Sequence, residues 1–118
     1  MISEKCCLCG TACKYEWIVR QNPRDPALLS HYECDNCGEF VISIKVRVES
    51  FPAEKEKVAK FAYQRKTSTD KPKPFVLYAD HAELQELSNK DRFDLFQWGE
   101  LVSRLNENGE VVKRHIGF

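Results

Sequence analysis

The chain has 118 residues, of which 42% are hydrophobic, and it carries 18 basic and 18 acidic side chains. This length fits one compact domain, or a small module followed by a second one, and it excludes a large multidomain enzyme. The longest apolar run, Phe75–Ala79, is far too short to span a bilayer, and the first residues lack the apolar segment of a secretory signal. We therefore expect a cytoplasmic protein that does not enter the membrane.

The charges are unevenly distributed although they cancel overall. Basic side chains are concentrated between Lys55 and Lys73, and acidic ones between Asp80 and Glu110. Such asymmetry can mark a nucleic-acid-binding surface, but charges on amphipathic helices and loops usually just face water. We interpret both segments as solvated faces and keep nucleic-acid contact as the alternative.

Two CxxC pairs, each followed by a glycine, are the most selective motif in the first third of the chain. They consist of Cys6, Cys9 and Gly10, and of Cys34, Cys37 and Gly38. Four thiolates complete the tetrahedral shell of a structural Zn²⁺, whereas a catalytic zinc keeps one position open. In a reducing compartment, such pairs bind metal or act in redox chemistry more often than they form disulfides. The spacing predicts one structural zinc ion bound by Cys6, Cys9, Cys34 and Cys37.

Three other residues compete as ligands. Cys9 and Cys13 make an alternative pair, and His31, three residues before Cys34, can replace one sulfur by imidazole. Neither choice gives two matched turns with glycines, so the four CxxC cysteines remain preferred. Cys7 and Cys13 are expected to be free, inert thiols beside the site, with oxidation and metal loss as the alternative.

Strand signals surround the two pairs. Residues 14–20 alternate in polarity, residues 21–26 contain two prolines that predict a loop, and residues 28–32 return toward the second pair. A third strand is predicted over residues 40–48, which are rich in β-branched side chains. A glycine after each pair permits the positive φ of a tight turn.

Residues 6–48 resemble the zinc-ribbon, or rubredoxin-like, family, with CCLCG and CDNCG as its two knuckles. Cys7 stands where the first knuckle more often has proline. The segment from Tyr32 to Ser43 also resembles N-terminal ribbon modules of uncharacterised bacterial and phage-associated proteins. The family resemblance implies contact with nucleic acid or polymerase. It does not imply the transcript cleavage of elongation-factor ribbons, because the loop at 21–26 lacks their adjacent acidic pair.

The second half of the chain begins with a helical pattern. Pro52–Thr67 is predicted to be a helix, with Val58, Phe61, Ala62 and Arg65 on one face. Residues 67–74 are polar and contain two prolines, so they predict a linker rich in proline and lysine.

Further elements are predicted toward the C-terminus. Phe75–Tyr78 is predicted to be a short strand, and Asp80 is predicted to cap a helix through Leu87. A third helix is expected from about Asp91 to Glu107, ended by Gly109, and a short strand at 110–116. The apolar arc of this third helix consists of Leu95, Trp98, Leu101, Val102 and Leu105. Phe93 and Phe96 fall outside that arc, and we interpret them as covering a neighbouring element, with a partner or dimer surface as the alternative.

The predicted fold class is therefore α+β. An N-terminal antiparallel zinc ribbon, residues 1–50, is followed by a helical or mixed region, residues 51–118, with about three helices and short strands. The second region is expected to pack on the ribbon, with the linker near residues 67–74.

No motif indicates an enzyme. A phosphate-binding glycine loop, a HExxH helix and a nucleophile elbow are all missing from the sequence, and Asp80 beside His81 is better interpreted as a helix cap than as an acid–base pair. We expect a zinc-stabilised interaction or regulatory module that binds another protein or itself, with no small-molecule substrate. The alternative is a nucleic-acid-binding ribbon in which Tyr15 or Trp17 stacks on bases. Its phosphate contacts would come from Arg20, Arg24, Lys45, Arg47, Lys57, Lys60, Lys71 and Lys73.

Overall fold

The computed structural model describes residues 2–19, 28–68, 73–80 and 90–112. Within these ranges the chain forms six strands and two α-helices. In chain order they are β1 (Ile2–Lys5), β2 (Ala12–Val19), β3 (Leu28–Cys34), β4 (Gly38–Ser43), α1 (Pro52–Thr67), β5 (Phe75–Tyr78), β6 (Asp94–Gln97) and α2 (Trp98–Arg104). Short 3₁₀ turns occur at Val48–Ser50 and Lys90–Arg92. No helix in these ranges is both long and apolar enough to cross a bilayer.

All six strands join one sheet, in the order β1-β2-β3-β4-β5-β6. The first four strands pair antiparallel, and β5 and β6 continue the sheet parallel to β4. Antiparallel neighbours can be joined by tight turns, but parallel neighbours need a long crossover. Helix α1 lies in the crossover between β4 and β5, so the chain changes from a meander to a β-α-β unit at this point.

One row of cross-strand neighbours runs through all six strands. It consists of Ile2, Tyr15, Tyr32, Phe40, Phe75 and Asp94. Directly paired residues point to the same face of a sheet, so these side chains share one face. The four aromatic members are buried, and consecutive ring centroids lie 5.0, 5.1 and 5.5 Å apart. This aromatic row is the floor of the main core.

Helix α1 covers the core over the middle of the sheet. Its predicted bounds are confirmed, with Pro52 in the first turn, where a missing N–H costs nothing. Val58, Phe61 and Ala62 are buried on the predicted face. The Phe61 ring lies edge-on to Phe75 at 5.6 Å between centroids. Burial of this stripe, rather than helix propensity alone, holds α1 on the sheet.

The opposite face of the sheet carries a smaller apolar cluster. Leu29, Val41, Val76 and Tyr78 are buried there, and two partly buried side chains, Phe93 and Leu95, pack against them. Because β4 and β5 also contribute to the main core, both of their faces are buried, as expected for strands in parallel pairing. The predicted strand Phe75–Tyr78 is confirmed with all four of its residues buried.

The predicted architecture of an antiparallel ribbon followed by a region with about three helices is wrong. Within the described part of the chain there are two α-helices, one of them only Trp98–Arg104, and most regular structure is strand. The second half contributes β5 and β6 to the same mixed sheet as the first half. The chain is still α+β in the broad sense. The division at residue 50 and the linker at 67–74 stay predictions, and residues 69–72 lie outside the described ranges.

The helix predicted from Asp91 to Glu107 is replaced by three shorter elements. A 3₁₀ turn and β6 take up residues 90–97, and only α2 is helical. In β6, Leu95 packs on the smaller cluster, whereas Phe96 packs on the main core. Because the neighbouring residues Leu95 and Phe96 are both partly buried, on opposite faces of the strand, the apolar pattern resembles that of a helix. Leu101 and Leu105, the C-terminal part of the predicted arc, are buried as expected.

The third predicted strand ends earlier than expected. Strand β4 stops at Ser43. The Val46 N–H donates a hydrogen bond to the Ser43 carbonyl at 3.0 Å, and the Lys45 N–H donates one to the Ser43 hydroxyl at 3.2 Å. These bonds close a turn where the β-branched pattern predicted continued strand. Three further predictions fall wholly or partly outside the described ranges: the loop at 21–26, the helix from Asp80 to Leu87 and the strand at 110–116.

Gly109 stands in a turn that lies directly on α1. Its φ is 78°, and a Cβ at this position would lie 2.5 Å from the Lys60 Cβ and 2.9 Å from the Lys57 carbonyl oxygen. The turn is closed by a bridge between Leu105 and Val111. The glycine therefore does not end a long helix as predicted. It permits a positive φ and a backbone contact that any side chain would block.

Candidate metal centre

The four predicted cysteines converge at one end of the sheet. The Sγ atoms of Cys6, Cys9, Cys34 and Cys37 all lie within 4.8 Å of one another, and those of Cys9 and Cys34 are 3.4 Å apart. All six cysteines of the chain are free. A disulfide needs about 2.0 Å between sulfurs. A tetrahedral Zn²⁺ with bonds of about 2.3 Å separates its sulfurs by about 3.8 Å. The cluster is therefore suited to a metal ion such as zinc.

The first knuckle follows β1 directly. The Cys6 N–H donates to the Thr11 carbonyl at 2.8 Å, and the Gly10 N–H donates to the Cys6 carbonyl at 2.8 Å. Gly10 has a φ of 77°, so the positive φ that was predicted for the glycine after this pair is confirmed. The amides of Leu8 and Cys9 donate to the Cys6 sulfur. Two N–H groups thus orient one ligand sulfur from within its own turn.

The second knuckle is the tip of the β3–β4 hairpin. Cys34 and Gly38 form its last cross-strand pair, and Gly38 has a φ of 86°. The amides of Asn36 and Cys37 donate to the Cys34 sulfur. The second knuckle repeats the first. In both turns the sulfur of the first cysteine accepts hydrogen bonds from the amides of the second and third residues after it. The CxxCG spacing that both turns share is therefore the sequence signal that identifies these amide donors.

Ionisation differs among the four thiols. A hydrogen bond from the Cys37 thiol lowers the pKa of Cys6 to about 5, against the opposing effect of burial. The same bond, together with burial, raises the pKa of Cys37. Burial also raises the pKa of Cys34. At Cys9 burial acts in the same direction, but hydrogen bonds with Thr11, Cys34 and Asn36 together outweigh it, so this pKa is lowered. A divalent cation would favour the thiolate form at all four positions.

Cys7 and Cys13 do not belong to the group of four. Burial raises the pKa of the Cys7 thiol. Burial and then the negative charge of Cys6 raise the pKa of Cys13 to about 11. A thiol that stays protonated is a poor nucleophile and a poor ligand, so both residues fit the expectation of inert thiols beside the site.

His31 lies away from the thiolate cluster. Strand alternation places it on the face opposite Tyr32, where it groups with Glu33 and Glu39. His31 Nε2 is 2.8 Å from Glu39 Oε1, and Nδ1 is 3.9 Å from Glu16 Oε2. Both ring nitrogens thus face carboxylates, and the imidazole does not replace a sulfur in the cluster of four.

The basic residues predicted to contact phosphate are partly neutralised. Lys45 Nζ lies 3.4 Å from Asp80, and Lys60 Nζ lies 3.9 Å from Glu56. Arg47, Lys57 and Lys73 have no acidic partner among the described residues. Arg20, Arg24 and Lys71 lie outside the described ranges.

The two aromatic side chains predicted to stack on bases differ in exposure. Tyr15 is 4% exposed, so it is not available for stacking, whereas Trp17 is 49% exposed. Phe93 and Phe96, which fall outside the predicted helical arc, both pack within the chain. Base stacking therefore has one candidate in this pair, Trp17.

The arrangement of the four cysteines suits a closed metal site. Cys6, Cys34 and Cys37 are at most 4% exposed and Cys9 is partly buried, which leaves little room for a substrate or an exchangeable water at the first three sulfurs. Four sulfur ligands complete a tetrahedron, so the chemistry that they favour is structural. No family model matches the chain, and no curated protein or solved structure matches it at a significant level.

Proposed function

We propose that this protein binds one structural Zn²⁺ through Cys6, Cys9, Cys34 and Cys37, in the manner of a zinc ribbon. The convergence of the four sulfurs within 4.8 Å carries the proposal. Soft thiolates in a tetrahedral set favour zinc among the common cellular divalent ions. Amide donors to Cys6 and Cys34 supply the outer hydrogen bonds that such sites use to stabilise bound thiolates.

The ion would connect two parts of the sheet. One knuckle follows β1, and the other joins β3 to β4, so the metal links the edge strand to the centre. Structural zinc sites contribute roughly 10–16 kcal/mol of apparent binding free energy, which acts as folding free energy. A chain of this size gains stability from such a link. A closed site supports a structural rather than a catalytic role for the ion.

The biological role that we propose is that of a small cytoplasmic interaction module, with another protein as its partner. The supporting observation is the set of large apolar side chains that remain about half exposed, among them Ile2, Trp17, Ile44 and Phe51. A reducing cytoplasm would keep the six cysteines available for metal. Nucleic-acid binding is less well supported, because Lys45 and Lys60 already have acidic partners.

Native mass spectrometry of the purified full chain tests the metal proposal. We expect one zinc ion per chain, and we expect Cys34→Ser to abolish it. Cys13→Ser is the matched control, since it removes a neighbouring buried thiol outside the group of four. A wild-type protein that is folded and metal-free after growth and purification with zinc would overturn the proposal.

A further inference from the structure

The aromatic row of the core extends beyond the cover of the helix. Helix α1 packs on β4 and on the 3₁₀ turn Val48–Ser50. Beyond it, toward the edge of the sheet, Tyr15 contacts Trp17 edge-on, with ring centroids 5.3 Å apart and planes at 85°. Tyr15 is buried, but Trp17 is 49% exposed. The apolar face of the sheet therefore reaches the surface at Trp17.

Trp17 borders an open groove of about 610 Å³, which we call the Trp17 groove. Its aromatic and aliphatic lining residues are Ile2, Tyr15, Trp17, Tyr32, Ile42, Ile44, Val46 and Val48. Three of the seven large hydrophobic side chains that are exposed in the described part of the chain belong to this lining: Ile2, Trp17 and Ile44. Isolated exposed apolar residues are ordinary, but their concentration around one groove indicates a binding surface.

Charged side chains surround this apolar lining. Lys5, Arg47 and Lys55 contribute three positive charges, and Glu4 and Glu49 contribute two negative ones. None of the three cations forms an ion pair with another residue that the structure describes. The groove thus combines apolar walls with cations that are available to an incoming carboxylate.

We propose that the Trp17 groove binds an extended peptide segment of a partner protein, with a large apolar side chain seated between Trp17 and Ile44. Acidic residues beside that anchor pair with Arg47 and Lys55. The inference rests on the proposed function, because it names the partner chemistry of the interaction module. The aromatic and aliphatic walls suit a peptide with an apolar anchor better than a phosphate backbone, which has no apolar group to seat there.

Selection from a phage-displayed library of random linear peptides on the zinc-loaded full chain tests the inference. We expect enriched peptides to carry a large apolar residue flanked by aspartate or glutamate. Their synthetic versions should bind Trp17→Ala at least about tenfold more weakly than wild type, because an aromatic anchor carries a large share of the binding energy. Tyr63→Ala is the matched control, since Tyr63 is also 49% exposed but lies on α1 outside the groove. No enrichment, or equal loss in both variants, would overturn the inference.

A charge reversal adds a second measurement. Arg47→Glu should weaken the selected acidic peptides, again by about tenfold, and versions with lysine in place of the acids should not bind wild type. Two competing occupants are measured in parallel, with single-stranded oligonucleotides and by sedimentation of the chain alone. Displacement of the peptide by an oligonucleotide, or a dimer that Trp17→Ala dissociates, would assign the groove to nucleic acid or to a second copy and refute the peptide.

The zinc content of each variant separates this inference from the metal proposal. Trp17→Ala and Arg47→Glu should each retain one zinc ion in native mass spectrometry, because neither residue is a ligand. Loss of peptide binding in a variant that retains zinc supports the Trp17 groove as the peptide-binding site. If a folded wild-type chain without zinc binds the peptide, the peptide site in the Trp17 groove is upheld and the metal proposal is refuted.

Discussion

Arg65 on α1 donates from Nη2 to Oδ2 of Asp94 on β6, with 2.5 Å between the two atoms. The same Nη2 donates to the Lys73 carbonyl at 2.8 Å. The guanidinium lies 5.5 to 5.8 Å from the ring centroids of Phe61, Phe75 and Phe96. Asp94 ends the cross-strand row that is otherwise apolar or aromatic. One arginine thus joins the helix to the last strand across the aromatic core.

Replacing Arg65 by methionine should therefore destabilise the fold. The change keeps part of the apolar stem but removes the hydrogen bonds to Asp94 and Lys73 and the contact of the cation with three rings. Because the Asp94 side chain is 43% exposed, solvent screens part of the loss, and we expect about 1–2 kcal/mol. Urea unfolding of the zinc-loaded chain measures it. Arg104→Met, at an exposed position on α2, should change stability far less, and equal effects would contradict this role of Arg65.

Two glycines with nearly the same φ provide a matched test of backbone strain and space. Gly109 has a φ of 78° and Gly10 a φ of 77°, but only at Gly109 would a Cβ meet other atoms, at 2.5 Å from the Lys60 Cβ. Gly10→Ala should cost about 1–2 kcal/mol from the positive φ alone. Gly109→Ala adds overpacking of about 1–3 kcal/mol against α1. Thermal unfolding of both zinc-loaded variants compares them, and a smaller loss at Gly109 would contradict the close approach.

Cobalt substitution should report the ligand set of the metal centre. Co²⁺ bound by thiolates absorbs in the near ultraviolet through sulfur-to-metal charge transfer, and a tetrahedral site intensifies its visible bands. We expect both features at one equivalent of Co²⁺, because the cluster offers four sulfurs. Cys34→Ser should abolish both features, and Cys13→Ser should leave them unchanged. Loss of the bands in Cys13→Ser instead would move the ligand assignment to the alternative pair.

Removal of the metal should loosen the part of the sheet that carries the knuckles. A strong chelator would leave four sulfurs within 4.8 Å without a cation, and the β1 knuckle would lose its link to the β3–β4 hairpin. Hydrogen exchange should therefore accelerate in β1 and β2 more than in α1. Added zinc should restore protection. Unchanged exchange in the metal-free chain would show that the knuckles hold without an ion.

Phe40 should be among the most sensitive core positions. It is 0% exposed and stacks between Tyr32 and Phe75 at the centre of the aromatic row. Phe40→Ala should cost about 3–5 kcal/mol, the usual range for a buried phenylalanine. Phe51→Ala, at a position that is 47% exposed, is the control and should cost much less. Chemical denaturation in the presence of zinc distinguishes the two, and similar losses would place the core elsewhere.

Local sequence patterns were sufficient to predict several elements of the structure. Proline at the start, basic residues at the end and a Val58/Phe61/Ala62 stripe predicted α1 with its observed bounds, because these signals act within a few turns of one helix. The CxxCG spacing likewise predicted which four cysteines would meet, since each turn is closed by its own residues. Strand β1, in contrast, was not predicted, because four exposed residues carry no burial pattern.

The sequence by itself determined the two CxxCG turns and the first helix, since each depends on residues close together in the chain. Only the tertiary structure decided that β5 and β6 extend the sheet in parallel, and that Leu95 and Phe96 belong to opposite faces of one strand. Strand pairing places residues far apart in sequence side by side, and burial on both faces removes the alternation that identifies a strand. For the same reason, the Trp17 groove became visible only when Ile2, Trp17 and Ile44 were placed around one opening.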